Sequence, residues 1–169
     1  MKLAALLETL SEVQTTGNLP ESIKALEYDS RRVAPGSLFI ALRGAKVDGH
    51  QFAAQAAQRG AVAVVAEESL VLPDTCALLR VPNSREAMAD LASAFYGQPT
   101  RQLKLLGVTG TNGKTSVAFL LRHLLTASGN RCGMIGTVEY DLGERVVPAS
   151  RTTPESLELQ AYLAAMRDA

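Results

Sequence analysis

The chain has 169 residues, of which 47% are hydrophobic and 20% are charged, a globular composition that argues against intrinsic disorder. Its 17 basic and 17 acidic residues give a formal net charge of zero. No basic excess indicates a nucleic-acid partner or a membrane surface, so an anionic ligand must be held by a local site.

The N-terminal segment predicts a short amphipathic helix rather than a secretion signal. Residues 1–7 begin like a signal sequence, but Glu8 and Glu12 interrupt the run before its apolar core is long enough. No run reaches the roughly 18 apolar residues of a membrane span. We therefore expect no membrane insertion and a cytoplasmic location.

Strands alternate with helices between residues 38 and 97, a pattern typical of an α/β unit. Residues 38–42 and 77–81 are short apolar runs that predict strands, and residues 61–66 (AVAVVA) predict a strand buried on both faces. Helical spacing predicts a helix over residues 51–59, which Gly60 ends.

A second helix is predicted after Pro82. Asn83 is placed as its N-cap, and Glu86 follows three residues later, which is the spacing of a capping box. Gly97 and Pro99 end this helix.

A domain boundary is predicted in the polar, turn-rich residues 97–102. We therefore predict a small N-terminal α/β domain over residues 1–98 and the first part of a second α/β domain over residues 99–169. The second domain begins with an apolar strand over residues 103–108 and continues into a glycine-bearing loop over residues 109–113.

The rest of the second domain predicts a helix over residues 114–128, a strand over 132–137 and a β-hairpin over 138–147. A last helix is predicted to start at Thr153-Pro154, because threonine is a good N-cap and proline fits the first helical position. Two parallel strands in about 70 residues cannot close a doubly wound core. We interpret the chain as a fragment, or the natural protein as continuing beyond it.

A phosphate-binding loop is predicted at Gly110-Thr111-Asn112-Gly113-Lys114-Thr115, between the strand and the helix. Glycines let backbone N–H groups surround phosphate oxygens, and the helix N-terminus adds free N–H groups and partial positive charge. Lys114 supplies a full charge to the β- and γ-phosphates, and Thr115 can place its hydroxyl on Mg²⁺. The loop therefore predicts binding of a nucleoside triphosphate, for which we take ATP.

The spacing of this loop departs from the common pattern G-x-x-x-x-G-K-[ST], which requires glycine at position 108. This chain has Val108 there, with Gly107 and Gly110 on either side. A chance Gly-Lys-Thr turn is the alternative interpretation, but the strand before it and the amphipathic helix after it favour a phosphate loop.

With this variant spacing, residues 108–115 resemble the ATP loop of the Mur ligases, which join amino acids to a UDP-linked muramoyl peptide in peptidoglycan synthesis. Further motifs extend the resemblance from about residue 26 to the end of the chain. Those resembling the first domain of the MurE and MurF types are Asp29-Ser30-Arg31, residues 35–44 and Asp48-Gly49-His50. Those resembling the MurE type are Ile135-Gly136-Thr137 and residues 151–155 (RTTPE).

The resemblance implies an ATP-dependent ligase that adds diaminopimelate or lysine to UDP-N-acetylmuramoyl-L-alanyl-D-glutamate. It implies that ATP phosphorylates a carboxylate of the D-glutamate and that the amine of the incoming amino acid attacks the acyl phosphate. Lys114, as the catalytic residue, and Mg²⁺ would stabilise the transferring phosphoryl group. The implied partners are these small molecules, and the implied form is a cytoplasmic monomer.

The resemblance also assigns ligand contacts. ATP would contact Gly110, Thr111, Asn112, Gly113, Lys114, Thr115 and Ser116, with Thr115 also binding Mg²⁺. The UDP-muramoyl substrate would contact Tyr28, Ser30, Ala45, Lys46, Val47, Thr152 and Thr153. The alternatives are a turn hydroxyl for Ser30 and capping of the last helix by the two threonines, which is compatible with binding.

Three functions stay open at this point: a MurE-type ligase, a MurF-type ligase, and a UDP-sugar module with a vestigial nucleotide loop. The Ile-Gly-Thr and Thr-Thr-Pro motifs favour the first. The later central-domain elements and the amino-acid-binding C-terminal domain of the Mur ligases have no counterpart in this sequence. We therefore expect that the chain alone does not catalyse ligation.

Overall fold

The computed structural model describes residues 1–44, 47–149 and 151–169. The chain divides into two compact units, Met1–Phe95 and Tyr96–Ala169. Both units combine helices with β-strands, which confirms the predicted α/β fold class. Among the described residues, no helix is both long and apolar enough to cross a membrane.

The first unit is built around one sheet. Its strands are β1 (Gln14–Thr16), β2 (Ala25–Glu27), β3 (Ser37–Ile40), β4 (Ala61–Ala66) and β5 (Ala77–Arg80). Its helices are α1 (Leu3–Leu7), α2 (Ala53–Gln58) and α3 (Ser84–Phe95), and a 3-10 helix over Gly49–Phe52 precedes α2. The strand order is β1-β5-β4-β3-β2, with β1 antiparallel to β5 and the other neighbours parallel.

The core of the first unit lies around the central strand β4. Val64 belongs to a buried cluster with Phe39 of β3 and with Ala53 and Ala56 of α2. Val65 is equally buried, and successive residues of a strand face opposite sides of the sheet. Both faces of β4 are therefore covered, which confirms the strand that the uninterrupted apolar run predicts.

The N-terminus of α3 is capped as the sequence predicts. The Asn83 side-chain oxygen accepts hydrogen bonds from the backbone N–H groups of Arg85, at 3.0 Å, and Glu86, at 3.2 Å. The Asn83 amide also donates to the Glu86 carboxylate at 2.8 Å. These bonds satisfy donors that the first helical turn leaves without partners.

Two strands of the first unit are missed by the sequence pattern. β1 and β2 are only three residues long and form the two edges of the sheet. All three residues of β1 are exposed, so β1 shows no apolar alternation that would predict a strand.

The second unit contains α4 (Lys114–Ala127), α5 (Ser156–Asp168) and an antiparallel sheet. The strands of that sheet are β6 (Met134–Ile135), β7 (Glu139–Asp141) and β8 (Val146–Pro148), in that order. The predicted hairpin is confirmed as β7–β8, and Leu142 N–H donates to the Arg145 carbonyl at 2.9 Å across its turn. The predicted helix over residues 114–128 is confirmed as α4.

Two strand predictions in the second unit are wrong. Residues 103–108 are all described and form no strand, and residues 132–137 contribute only β6, which is antiparallel rather than parallel. A strand exists only where a neighbour accepts its backbone hydrogen bonds. Leu105 and Leu106 stay exposed, because no described strand lies beside this apolar run.

The predicted start of the last helix is also wrong, by a few residues. α5 begins at Ser156, and Glu155 before it has extended backbone (φ −66°, ψ 160°). Proline disfavours the helical region for the residue before it, so Pro154 keeps Thr153 out of the helix. Thr152 and Thr153 therefore lie exposed ahead of α5 instead of capping it.

Candidate functional site

The predicted phosphate loop leads directly into α4. Gly113 is the N-cap of that helix and has a positive φ of 75°, and Gly110 has a φ of 145°. Glycine adopts these conformations at little cost. The first N–H groups of a helix have no intrahelical acceptor, and the fully described first turn of α4 has no acidic side chain that would compete with an anion.

The Lys114 ammonium lies against the loop that precedes it. Its Nζ atom donates to the Gly110 carbonyl at 2.7 Å and lies 3.4 Å from the Thr111 carbonyl. The loop residues 110–114 are exposed. Positive charge, free N–H groups and a helix N-terminus thus converge at one exposed place, an arrangement suited to a phosphate group.

Thr115 contacts a residue that the sequence analysis did not assign to the site. The Thr115 and Thr137 hydroxyls are 3.2 Å apart, so one donates to the other. Thr137 ends the Ile-Gly-Thr motif, and that motif is the signal that could have found it. Hydroxyl oxygen is a suitable ligand for Mg²⁺, which otherwise takes phosphate oxygens and water. Within the described residues, no group of three or more His, Cys, Asp or Glu side chains could hold a metal ion.

In the first unit, Ser30 is nearly buried, with 8% of its surface exposed. Its hydroxyl donates to the Gln55 side-chain oxygen at 3.1 Å. Gln55 lies in α2 and is exposed, so its amide can reach a ligand beside Ser30. Sequence reasoning missed Gln55 because one glutamine on a helix carries no recognisable motif.

The neighbours of Ser30 form a hydrogen-bonded turn, in which the Arg32 N–H donates to the Asp29 carbonyl at 2.9 Å. The Arg31 guanidinium donates to both oxygens of the Asp29 carboxylate, at 2.9 and 2.7 Å, and the Arg31 N–H donates to the same carboxylate at 3.0 Å. The Arg59 guanidinium donates to the Arg31 carbonyl at 2.9 Å. These bonds hold the turn on either side of the Ser30 hydroxyl.

A titration should show how firmly this turn is held. Hydrogen bonds from the Arg31 side chain lower the pKa of Asp29 from 3.8 to about 2. Because the pKa of Asp29 is lower in the folded chain than in the unfolded chain, its bonds with Arg31 stabilise the fold fully above pH 3.8. This stabilisation is lost as the pH falls toward 2. We expect the Asp29 carboxyl carbon to titrate near pH 2 by NMR and Arg31→Gln to raise that midpoint. A midpoint of 3.8 in the unaltered chain would contradict the pairing.

His50 has a structural position. It is 4% exposed, its Nε2 accepts from the Glu67 N–H at 3.0 Å, and its Nδ1 lies 2.6 Å from the Asp48 carboxylate. Nδ1 is therefore the protonated nitrogen of a neutral ring. Gly49 next to it is required by space, because a Cβ atom there would lie 2.7 Å from the Leu42 carbonyl oxygen.

The remaining predicted substrate residues are only partly located. Ala45 and Lys46 lie outside the described residues. Val47 is exposed, and its carbonyl accepts from the Gly44 N–H at 3.0 Å. Tyr28 is half-buried in the first unit, and Thr152 and Thr153 are exposed in the second.

Two family models match the chain and between them cover most of it. The model described as Mur ligase family, catalytic domain, matches residues 22–96. The model described as Mur ligase middle domain matches residues 108–169.

A curated relative from Geobacillus thermodenitrificans, named UDP-N-acetylmuramoyl-L-alanyl-D-glutamate--2,6-diaminopimelate ligase, is 51% identical over 170 residues. The alignment covers 99% of this chain and 34% of the relative. The chain thus spans about a third of the length of the curated relatives it matches.

Solved structures resemble both units. A structure of a ligase with the same name aligns with a TM-score of 0.67 and 29% identity, over 86% of this chain and 30% of the other. MurF ligase from Thermotoga maritima in complex with ADP aligns with a TM-score of 0.58 and 27% identity, over 83% and 29% of the two chains.

Proposed function

The chain belongs to the Mur ligase family, and from that membership we propose that it is the N-terminal portion of a MurE-type ligase. The observation that carries this proposal is the 51% identity, over nearly the whole chain, to a relative named for that activity. The proposed reaction adds a third residue to UDP-N-acetylmuramoyl-L-alanyl-D-glutamate with consumption of ATP. The names of the relatives favour 2,6-diaminopimelate as that residue.

The second unit is proposed to bind ATP. The loop N–H groups and the N-terminus of α4 would hold the phosphates, and Lys114 would move from the loop carbonyls to the phosphate oxygens. Lys114 is the proposed catalytic residue because its charge would stabilise the phosphoryl group during transfer to the substrate carboxylate. The Thermotoga maritima MurF structure that aligns with this chain is a complex with ADP, which supports an adenine nucleotide as the ligand.

Mg²⁺ is proposed as the metal cofactor, with the Thr115 hydroxyl as its ligand from this chain. One hydroxyl suits Mg²⁺, which keeps several waters and shares substrate phosphates. The metal would neutralise charge on the triphosphate. Thr137 would orient the Thr115 hydroxyl through the hydrogen bond between them.

The first unit is proposed to bind the UDP end of the substrate, as the domain over residues 1–98. Residues 99–169 are then the start of the ATP-binding central domain. Ser30 is the proposed central contact, with Tyr28 and the loop Ala45-Lys46-Val47 beside the uridine. Thr152 and Thr153 of the second unit are proposed to contact the muramoyl peptide. Because ATP and UDP-linked precursors are cytoplasmic metabolites, we propose a cytoplasmic enzyme, acting as a monomer.

Binding without turnover is the expected result for the isolated chain. It carries the proposed uridine contacts, whereas the relatives are about three times as long. Ser30→Ala should weaken binding of UDP-muramoyl dipeptide about two- to tenfold, since one neutral hydrogen bond is worth ~0.5–1.5 kcal/mol. Ligand-observed NMR detects binding to the unaltered chain and to Ser30→Ala, through saturation transfer from the protein to the uracil protons.

Ser69→Ala is the matched control, because Ser69 is an exposed serine whose hydroxyl accepts from Arg80 in the same unit. UDP-glucose tests whether the uridine end alone is recognised. If the folded chain at millimolar ligand shows no transfer to the uracil protons, the first unit is not a uridine site.

A MurF-type ligase is the second candidate, because a MurF structure also aligns over both units at 27% identity. The two activities differ in the UDP-muramoyl peptide that they extend, which is a dipeptide for the MurE type and a tripeptide for the MurF type. An assay on the chain extended by its native downstream sequence distinguishes them. We expect turnover of UDP-muramoyl dipeptide with diaminopimelate. Turnover of a UDP-muramoyl tripeptide instead would favour the MurF type.

A further inference from the structure

Tyr140 is a buried tyrosine whose hydroxyl reaches the backbone of an exposed segment. It lies in the middle of β7 and is 1% exposed. Its hydroxyl donates to the Arg151 carbonyl and accepts from the Arg151 N–H, at 3.3 Å. Both backbone groups of one residue are thus held by a single side chain, directly before Thr152 and Thr153.

A second contact closes the same segment. The Arg151 guanidinium lies 3.5 Å from the Glu155 carboxylate, across Thr152, Thr153 and Pro154. Glu155 is the N-cap of α5, so this end is fixed to the helix. The ring of Tyr140 also packs on Tyr162 of α5, with ring centroids 5.0 Å apart.

We infer that Tyr140 is a positioning residue for substrate binding, because it holds Thr152 and Thr153 in place through the Arg151 backbone. The inference rests on the proposed function, in which both threonines contact the UDP-muramoyl peptide. Ordering an exposed segment on binding costs conformational entropy and so lowers the affinity for the ligand. A segment that is already ordered in the free protein avoids this cost. In this proposal Tyr140 acts on the segment through the Arg151 backbone and does not itself contact the substrate.

The test is Tyr140→Phe in the enzyme that carries its native downstream sequence. Phenylalanine keeps the ring on Tyr162 and removes only the hydroxyl. Arg151 is an exposed residue, so water can replace the lost bonds to its backbone and little stability should be lost. We expect the KM for UDP-muramoyl dipeptide to rise about two- to tenfold, the range for one neutral hydrogen bond of ~0.5–1.5 kcal/mol, with the KM for ATP unchanged.

Ser128→Ala is the matched control. The Ser128 hydroxyl also makes two hydrogen bonds, to the Leu125 carbonyl and from the Asn130 amide, but at the C-terminal end of α4. It should leave both KM values unchanged. In the 169-residue chain, amide exchange of Arg151 should accelerate in Tyr140→Phe and stay constant in Ser128→Ala.

The outcomes distinguish a failure of the positioning role of Tyr140 from a failure of the proposed ligase function. An unchanged KM for UDP-muramoyl dipeptide in Tyr140→Phe, or equal changes in both KM values, would overturn the positioning role while leaving the proposed function intact. If the unaltered enzyme does not turn over UDP-muramoyl dipeptide, the proposed function fails, and the positioning role fails with it.

Discussion

Lys114→Ala is expected to abolish most of the ATP-dependent activity of the enzyme that carries its native downstream sequence. Lys114 is the charged group of the loop, and its Nζ atom lies against the Gly110 carbonyl at 2.7 Å. A charge-assisted hydrogen bond to a phosphate contributes about 1.5–3 kcal/mol to binding. Removing one stabilising donor of a transition state costs roughly 10²–10³ in kcat. Steady-state kinetics should therefore show a loss of at least about 100-fold.

Lys104→Ala is the control for this variant, because Lys104 is an exposed lysine that precedes the loop in the same unit. It removes the same charge from the chain and should leave kcat and the KM for ATP unchanged. Lys114→Ala should keep the circular dichroism of the unaltered protein, because the Lys114 side chain is exposed. Unchanged turnover in a folded Lys114→Ala enzyme would contradict the phosphate-loop assignment.

Hydrogen exchange in the 169-residue chain should differ strongly between its two units. β4 has five buried residues of six, whereas all residues of α4 are described and none is buried. Val117, Leu120 and Leu124 of α4 are exposed apolar side chains. A helix of this length in which no residue is fully buried is marginal in water. Amides of β4 should exchange at least ~10³-fold more slowly than those of α4, a difference of about 4 kcal/mol in opening free energy.

Asp141→Asn provides the matched variant for the exchange experiment. The buried Asp141 carboxylate pairs with Arg122, and this pair ties α4 to the β7–β8 hairpin. The substitution should speed exchange in α4 further and leave β4 unchanged. Equal protection in α4 and β4 of the unaltered chain would show that α4 is held by contacts that its exposed face does not reveal.

The elements predicted correctly are those whose determinants are local. The run AVAVVA predicts a strand covered on both faces because every residue in it is apolar, so neither face is marked as facing water. The cap of α3 depends on Asn83 and Glu86 three residues apart, and the hairpin depends on a turn between two short strands. The glycine turn before α4 is equally local, since Gly110, Gly113 and the start of α4 are close together in sequence; phosphate binding at this loop stays a prediction.

The prediction of a strand over residues 103–108 fails for the opposite reason. Its apolar pattern satisfies the local requirement, but a strand also needs a hydrogen-bonding neighbour, and none of the described strands lies beside it. The edge strand β1 is the opposite case, a strand without an apolar pattern. Its residues are polar and exposed, and it is a strand because its backbone pairs with β5.

The sequence by itself determined the α/β class, the central strand, the cap of α3 and the glycine-lysine loop, because each depends on residues close together in the chain. Only the tertiary structure decided which distant residues support the candidate sites. It placed Gln55 against Ser30, Thr137 against Thr115 and the Tyr140 hydroxyl on the Arg151 backbone. These pairs are 25, 22 and 11 residues apart, and no local propensity relates side chains at such separations. Their contacts arise from how the strands pair and how the helices pack.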